Sequence, residues 1–180
     1  METYQPTEDS YLLSETLKKY LNDKIKNKEI NQENQEFKIL DMGSGFSSYV
    51  FSKYASECDY PVQIVSVDTD QFWLAKTIDF LKTYSLQLDT PILLEDLEFT
   101  EGSFDLVFHD IASADQRNLL MSVSISALKG GGIIIFDDLQ HPPHLQSVLE
   151  NCAIHNLIYS SLKEQTLDKI GRWAGMGVRA

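Results

Sequence analysis

From Phe37 onward, apolar runs short enough to be strands alternate with longer stretches of helical periodicity. Lys38–Met42, Gln63–Val67, Pro91–Leu94, Phe104–Phe108 and Gly132–Phe136 are rich in apolar residues. Strands buried on both faces read this way, because neither face needs polar side chains. Between them, Ser47–Glu57, Asp70–Tyr84, Asp115–Leu128 and Pro142–His155 predict helices. Such alternation predicts a parallel sheet with helices on both faces. The last quarter departs from it. Leu157–Leu162 and Trp173–Val178 predict two strands joined through Lys163 to Gly171 without a helix. The expected architecture is a doubly wound α/β fold, a seven-stranded, mostly parallel sheet closed by a C-terminal antiparallel hairpin.

Upstream, Thr7 to Leu21 suits an amphipathic helix, with Leu12, Leu13, Thr16, Leu17, Tyr20 and Leu21 at helical spacing. Pro6 and Thr7 punctuate its start, and Glu8 and Asp9 sit where the helix dipole favours acids. The polar stretch Asn22 to Glu36 reads as a loop. The 180 residues suit one domain: an N-terminal helix and linker over 1–36, then a core over 37–180.

A composition of 43% hydrophobic and 23% charged residues is that of an ordinary globular protein. The net charge of −12 argues against a nucleic-acid partner, since phosphates require clustered Lys and Arg. No apolar run approaches membrane-spanning length and no signal pattern opens the chain, so the expectation is a cytoplasmic protein without a membrane partner. Cys58 and Cys152 lack CxxC spacing and read as small core fillers in a reducing compartment.

The candidate chemistry gathers at predicted strand ends. Phe37 to Ser48 reads as a strand ending in an acid (Asp41), a turn through Gly43, Ser44 and Gly45, and a helix start. Glycine permits a sharp turn or close ligand approach, and a helix N-terminus presents unpaired N–H groups. That is half of a nucleotide-type pocket. Asp68, followed by Thr69, ends the next strand, where an acid accepts hydrogen bonds from ribose hydroxyls. Its alternative role is to cap the following helix.

His109 and Asp110 end the Phe104–Phe108 strand, and Asp137 and Asp138 follow Phe136. Three converging carboxylates, Asp110, Asp137 and Asp138, repel unless a cation or proton compensates, and hard oxygen ligands suit Mg²⁺ or Ca²⁺. Helix capping is the competing explanation. Of the four histidines, His109 and His141 fall at predicted strand-end loops, where a neutral imidazole accepts a proton. His155 reads as structural. Tyr4, Tyr11, Phe46, Phe72 and Trp73 are candidate pocket walls, or core.

These residues resemble class I S-adenosylmethionine-dependent methyltransferases over about residues 37 to 180. The resemblance rests on Asp41-x-Gly43-x-Gly45, Asp68 ending the second strand, Glu95-Asp96-Leu97 after the third, Phe104-Asp105-Leu106-Val107 with Asp110 on the fourth, and Leu128-Lys129-Gly130-Gly131-Gly132 before the fifth. It implies a Rossmann-like fold, with the methionine part of S-adenosylmethionine on the Asp41–Gly45 loop, ribose on Asp68 and adenine near Asp96 and Leu97. Thr69 and Asp110 join the expected cofactor contacts.

Gly43 to Ser48 and Phe136-Asp137-Asp138 look most like small-molecule O-methyltransferases, some of which hold Mg²⁺ on acids matching Asp110, Asp137 and Asp138; the usual nearby lysine is not evident here. Tyr4 to Leu13 is similar instead to the opening of glutamine N-methyltransferases, but His109-Asp110-Ile111-Ala112 stands where those enzymes need Asn-Pro-Pro-Tyr.

The expected function is methyl transfer from S-adenosylmethionine to an oxygen of a small-molecule acceptor, with Asp110 and His109, then His141, as candidate proton acceptors. The alternatives are a protein side-chain N-methyltransferase and a non-catalytic S-adenosylmethionine-binding module. A nicotinamide-dependent dehydrogenase fits worse, because Ser48 occupies the third glycine position of its turn. Oligomeric state stays open, a homodimer among the options.

Overall fold

The computed structural model describes residues 36–180; the N-terminal helix, most of the linker, and the Tyr4 and Tyr11 walls expected from the sequence lie outside the described residues. Strands β1 (Phe37–Met42), β2 (Val62–Asp68), β3 (Thr90–Leu93), β4 (Phe104–His109), β5 (Leu128–Phe136), β6 (Leu157–Ser161) and β7 (Gly175–Arg179) form one sheet in the order β3-β2-β1-β4-β5-β7-β6. The first five are parallel, and β7 runs antiparallel between β5 and β6. Helices α1 (Phe46–Glu57), α2 (Gln71–Lys82), α3 (Ala114–Ser126) and α4 (Pro142–Ile154) make the main crossovers. The expected doubly wound sheet with its C-terminal hairpin is present. One local difference is the single helical turn α5 (Lys163–Thr166) inside a connection expected to lack helix.

Alternation along the strands sorts the core into two layers, because successive strand side chains point to opposite faces. Leu40, Met42, Val107, Ile134 and Phe136 pack with Met121 and Ile125 of α3 and Val148 and Cys152 of α4. Ile39, Leu106, Phe108, Ile133 and Ile135 pack on the other face with Phe51 and Tyr54 of α1. Cys58 and Cys152 are both free thiols, Cys152 buried.

The chain reverses its winding direction between β1 and β4, which are hydrogen-bonded neighbours. Connections leaving their carboxyl ends diverge there and open a crevice, the usual ligand position in such sheets. At its base the Asp110 N–H donates to the Met42 carbonyl at 2.8 Å, while the Gly43 and Ser44 N–H groups bond the Val67 carbonyl at 2.9 and 3.2 Å. This close approach explains Gly43. Its φ is +108°, and a Cβ would lie 2.4 Å from the Asp110 carbonyl oxygen. Replacing Gly43 by Ala is expected to destabilise the protein by roughly 3 kcal/mol, from strained backbone plus steric overlap. A denaturant midpoint within experimental error of wild type would refute that account.

Candidate functional site

Asp41, the residue before the last of β1, lies entirely out of solvent. Its Oδ1 accepts a hydrogen bond from Ser47 at 2.7 Å, and its Oδ2 accepts from Ser48 and, at 3.2 Å, from Ser66 on β2. The Ser48 hydroxyl in turn accepts from the Gly45 N–H at 3.1 Å. Asp41 therefore lies beneath the glycine turn and shapes it from below, rather than forming the wall of the crevice. Burial pushes its carboxyl up to about 6, outweighing the serine donors that favour the ionised form.

That shift has a sign that can be measured. The folded protein takes up a proton at Asp41 near pH 6, whereas the unfolded chain does so only near 3.8. The charged form thus costs stability above pH 6, and the cost is relieved as pH falls through that window. Relative to Asp41→Asn, the wild type should gain on the order of 3 kcal/mol between pH 7 and pH 4. Parallel stability profiles for the two proteins over that range would overturn the assignment.

Above the turn the crevice holds a cavity of about 560 Å³, within the range of small-molecule sites. Gly43, Ser44, Gly45, Phe46 and Ser47 line one side, Asp68, Thr69, Asp70 and Trp73 one end, and Phe108, Asp110 and Asp137 the strand-end floor. Asp68 Oδ2 accepts from the Ser44 hydroxyl at 2.7 Å and Oδ1 from the Asp70 N–H at 3.0 Å. Each oxygen keeps a second lone pair, so the carboxylate retains capacity for two further donors. Capping of α2 falls to Asp70, which accepts from the Phe72 N–H at 2.8 Å.

Other sequence expectations are redistributed. Asp96 is exposed and Leu97 packs against the core below α3 and α4; neither lines the cavity. Phe46 and Trp73 do line it, while Phe72 is exposed outside. His109 is not at the pocket mouth. It shares a strand face with Val107 and is fully buried against α3 and α4. Its Nε2 bonds the Arg117 carbonyl at 3.0 Å and its Nδ1 meets the Ser124 hydroxyl at 2.7 Å. A carbonyl only accepts, so Nε2 carries the hydrogen and Nδ1 accepts. Burial lowers its pKa to about 3, and the ring stays neutral. His141 precedes α4 as an exposed N-cap outside the cavity. Neither histidine is in position to act as a base at this cavity.

Two of the three carboxylates meet a different cation from the one expected. Arg117, on α3 and only 6% exposed, pairs through Nη2 with Asp110 Oδ1 at 2.7 Å and through Nη1 with Asp138 Oδ2 at 3.0 Å. Burial raises Asp138, but hydrogen bonding from Gln140 and the Arg117 charge outweigh it and hold its carboxyl below the usual range. Asp137 is pushed up to about 6 by burial and the Asp138 charge, and Asp110 is raised by burial and Asp137. Asp137 Oδ1 accepts the Asp138 N–H at 2.8 Å. Among the described residues no three acidic, histidine or cysteine side chains group as metal ligands. Two of the three acids already bind a guanidinium, so the donor set does not fit the expected Mg²⁺.

The sequence reading also missed a wall. Thr166, Asp168, Arg172 and Trp173, from the connection between β6 and β7, line the cavity. Asp168 organises this connection, accepting from the Ile170 and Arg172 N–H groups at 2.9 and 2.7 Å and from Arg172 Nε at 2.7 Å. An acid followed by Gly171 and Arg172 marks a tight turn in sequence, but nothing local says that the turn folds back over the strand ends.

No protein-family model matches the chain, and no curated protein does. Solved structures do match. The tRNA (m1A58) methyltransferase TrmI of Aquifex aeolicus aligns over all of this chain and 71% of its own, at 15% identity and TM-score 0.64. A SAM-dependent O-methyltransferase of Thermotoga maritima aligns over 100% and 68%, at 14% identity and TM-score 0.63. TYW2 of M. jannaschii, solved in complex with AdoMet, aligns over 97% and 77%, at 12% identity and TM-score 0.53. The fold is that of the S-adenosylmethionine-dependent class I methyltransferases. At these identities the likeness speaks for the fold. The expectation of no nucleic-acid partner draws no support from it, since one of these proteins is named for tRNA. Among the described residues no helix is long and apolar enough to cross a membrane.

Proposed function

We propose that this chain binds S-adenosylmethionine in the 560 Å³ cavity and transfers its methyl group to an oxygen of a small-molecule acceptor. The observation that carries the reading is the division of that one cavity. At one end Asp68 offers spare acceptor capacity to vicinal hydroxyls beside Thr69 and Trp73; at the other, Asp110 and Asp137 face the same space. When bound, S-adenosylmethionine supplies a methyl group already activated on a sulfonium.

The chain's own residues account for the remainder. Gly43 to Ser47 bring backbone and the start of α1 against the ligand without side-chain bulk from Gly43 or Gly45. Acidic residues along the lining favour a cationic donor over an anionic one. Phe46, Phe108 and Trp173 supply apolar walls that exclude water from the reacting end. Asp137 Oδ2 has no hydrogen-bond partner among the described residues and is the group suited to receive the acceptor's proton. Asp110 is held by Arg117. Positioning then supplies most of the rate, since the displacement needs nucleophile and methyl group in line.

Calorimetry with S-adenosylmethionine should show saturable binding, and the same titration with NAD none. Asp68→Ala should weaken that binding by about 1.5–3 kcal/mol, roughly 10- to 100-fold, the usual loss for hydrogen bonds to a charged group. An unchanged affinity would remove Asp68 from the site. Asp137→Asn should bind the donor much as wild type does but lower turnover of an acceptor found by metabolite screening by about 10²–10⁴. Full activity in that variant would reject Asp137 as proton acceptor. Donor binding without any methylated product across metabolites, RNA and protein acceptors would favour a binding module over an enzyme.

A further inference from the structure

Ala112 and Asp138 adopt left-handed backbone, with φ of 55° and 59°. That conformation is uncommon for residues other than glycine and marks a locally constrained site. They follow the carboxyl ends of β4 and β5, and one side chain reaches both. Arg117 Nη2 donates to the Ala112 carbonyl at 3.3 Å, and Nε donates to the Ile111 carbonyl at 3.4 Å. The same guanidinium pairs with Asp110 at 2.7 Å and Asp138 at 3.0 Å. An arginine this buried persists only when its charge and donors are matched. Here each of its three nitrogens has an oxygen partner.

The two paired carboxylates come from different strand ends and face one cation. A hydrated divalent ion held by one or two carboxylates would satisfy the same oxygens. A lysine would not, because a single ammonium lacks the planar fork that reaches two acids and two carbonyls together. We propose that Arg117 is a built-in substitute for a divalent cation: it occupies the place between Asp110 and Asp138, neutralises both, and positions Asp110 at the cavity wall without metal. The proposal goes beyond methyl transfer and does not depend on it, since the charge bridge can be tested with neither donor nor acceptor present.

The test compares thermal unfolding of the wild type, Arg117→Ala and Arg117→Lys in EDTA, in Mg²⁺, and in Na⁺ at matched ionic strength. The wild-type midpoint should be the same in all three. Arg117→Ala should melt several degrees lower in EDTA and recover part of that loss in Mg²⁺ but not in Na⁺. Arg117→Lys should recover part of it without Mg²⁺. A residue that only filled space would give no cation-specific recovery. An Arg117→Ala protein indifferent to Mg²⁺, or a wild type that responds as strongly, overturns the proposal. Should Arg117→Ala not fold in any of these solutions, a Mn²⁺ titration of the wild type followed by spin resonance decides. Absence of a saturable site supports the substitution, and a saturable site that Asp138→Asn abolishes refutes it.

Discussion

One sealed carboxylate sets the geometry on which the cavity depends. Asp41 sits near the end of β1 and receives hydroxyl donors from two residues of α1 and one of β2. Those bonds fix where α1 begins relative to both strands, and hence where the glycine turn exposes its backbone. The ionised form is costly in such a place, because burial removes water that serine hydroxyls replace only in part. Hydrophobic packing of α1 through Phe51 and Tyr54 holds the helix on the sheet, but packing is tolerant of small slides. Directional bonds to a buried acid are not, and that intolerance fixes the turn to within hydrogen-bond distances.

A second constraint is electrostatic. The parallel arrangement delivers Asp41, Asp68, Asp110 and Asp137 to one edge of one sheet, because each lies at or next to the carboxyl end of its strand. The fold disposes of each charge differently. Asp41 receives hydroxyls, Asp68 a hydroxyl and a backbone N–H, and Asp110 and Asp138 share Arg117. Asp168, arriving from the β6–β7 connection, brings its own arginine. Asp137 receives only a neighbouring N–H on one oxygen. Burial, and next the Asp138 charge, raise its pKa.

What could be read from the sequence follows from what is local. Nearly continuous apolar strands and the acid–glycine turn are properties of contiguous residues, so the strands, the crossover helices and the position of Gly43, Ser44, Gly45 and Asp68 at strand ends were legible. The fate of His109 was partly legible too: it is two residues from Val107, so strand alternation puts it on the helix-covered face rather than at the mouth. Arg117 was not. It stands in a polar stretch, Asp115-Gln116-Arg117-Asn118, that reads as a solvated helix face. Only the rotation of α3 against the sheet, set by Met121 and Ile125 in the core, turns Arg117 inward. The β6–β7 wall escaped for the same reason, since its approach to the crevice is a long-range contact with no periodic trace.

The pairing of Arg117 with Asp110 and Asp138 answers a general problem of such strand ends. An acid cluster at strand ends needs positive charge, and a fold can obtain it from solution or from its own chain. Taking it from solution makes the site depend on ion concentration and leaves the acids repelling one another when the ion departs. Taking it from α3 ties the charge to the same helix whose packing orients β4 and β5, so the cation cannot leave while the core is intact. The cost is that a guanidinium cannot act as a Lewis acid toward an acceptor oxygen. On the function proposed above, deprotonation of an acceptor hydroxyl falls to a carboxylate that Arg117 does not neutralise. Of the acids that follow β4 and β5, Asp137 lines the cavity and has no arginine bonded to it among the described residues, whereas Asp110 and Asp138 share Arg117.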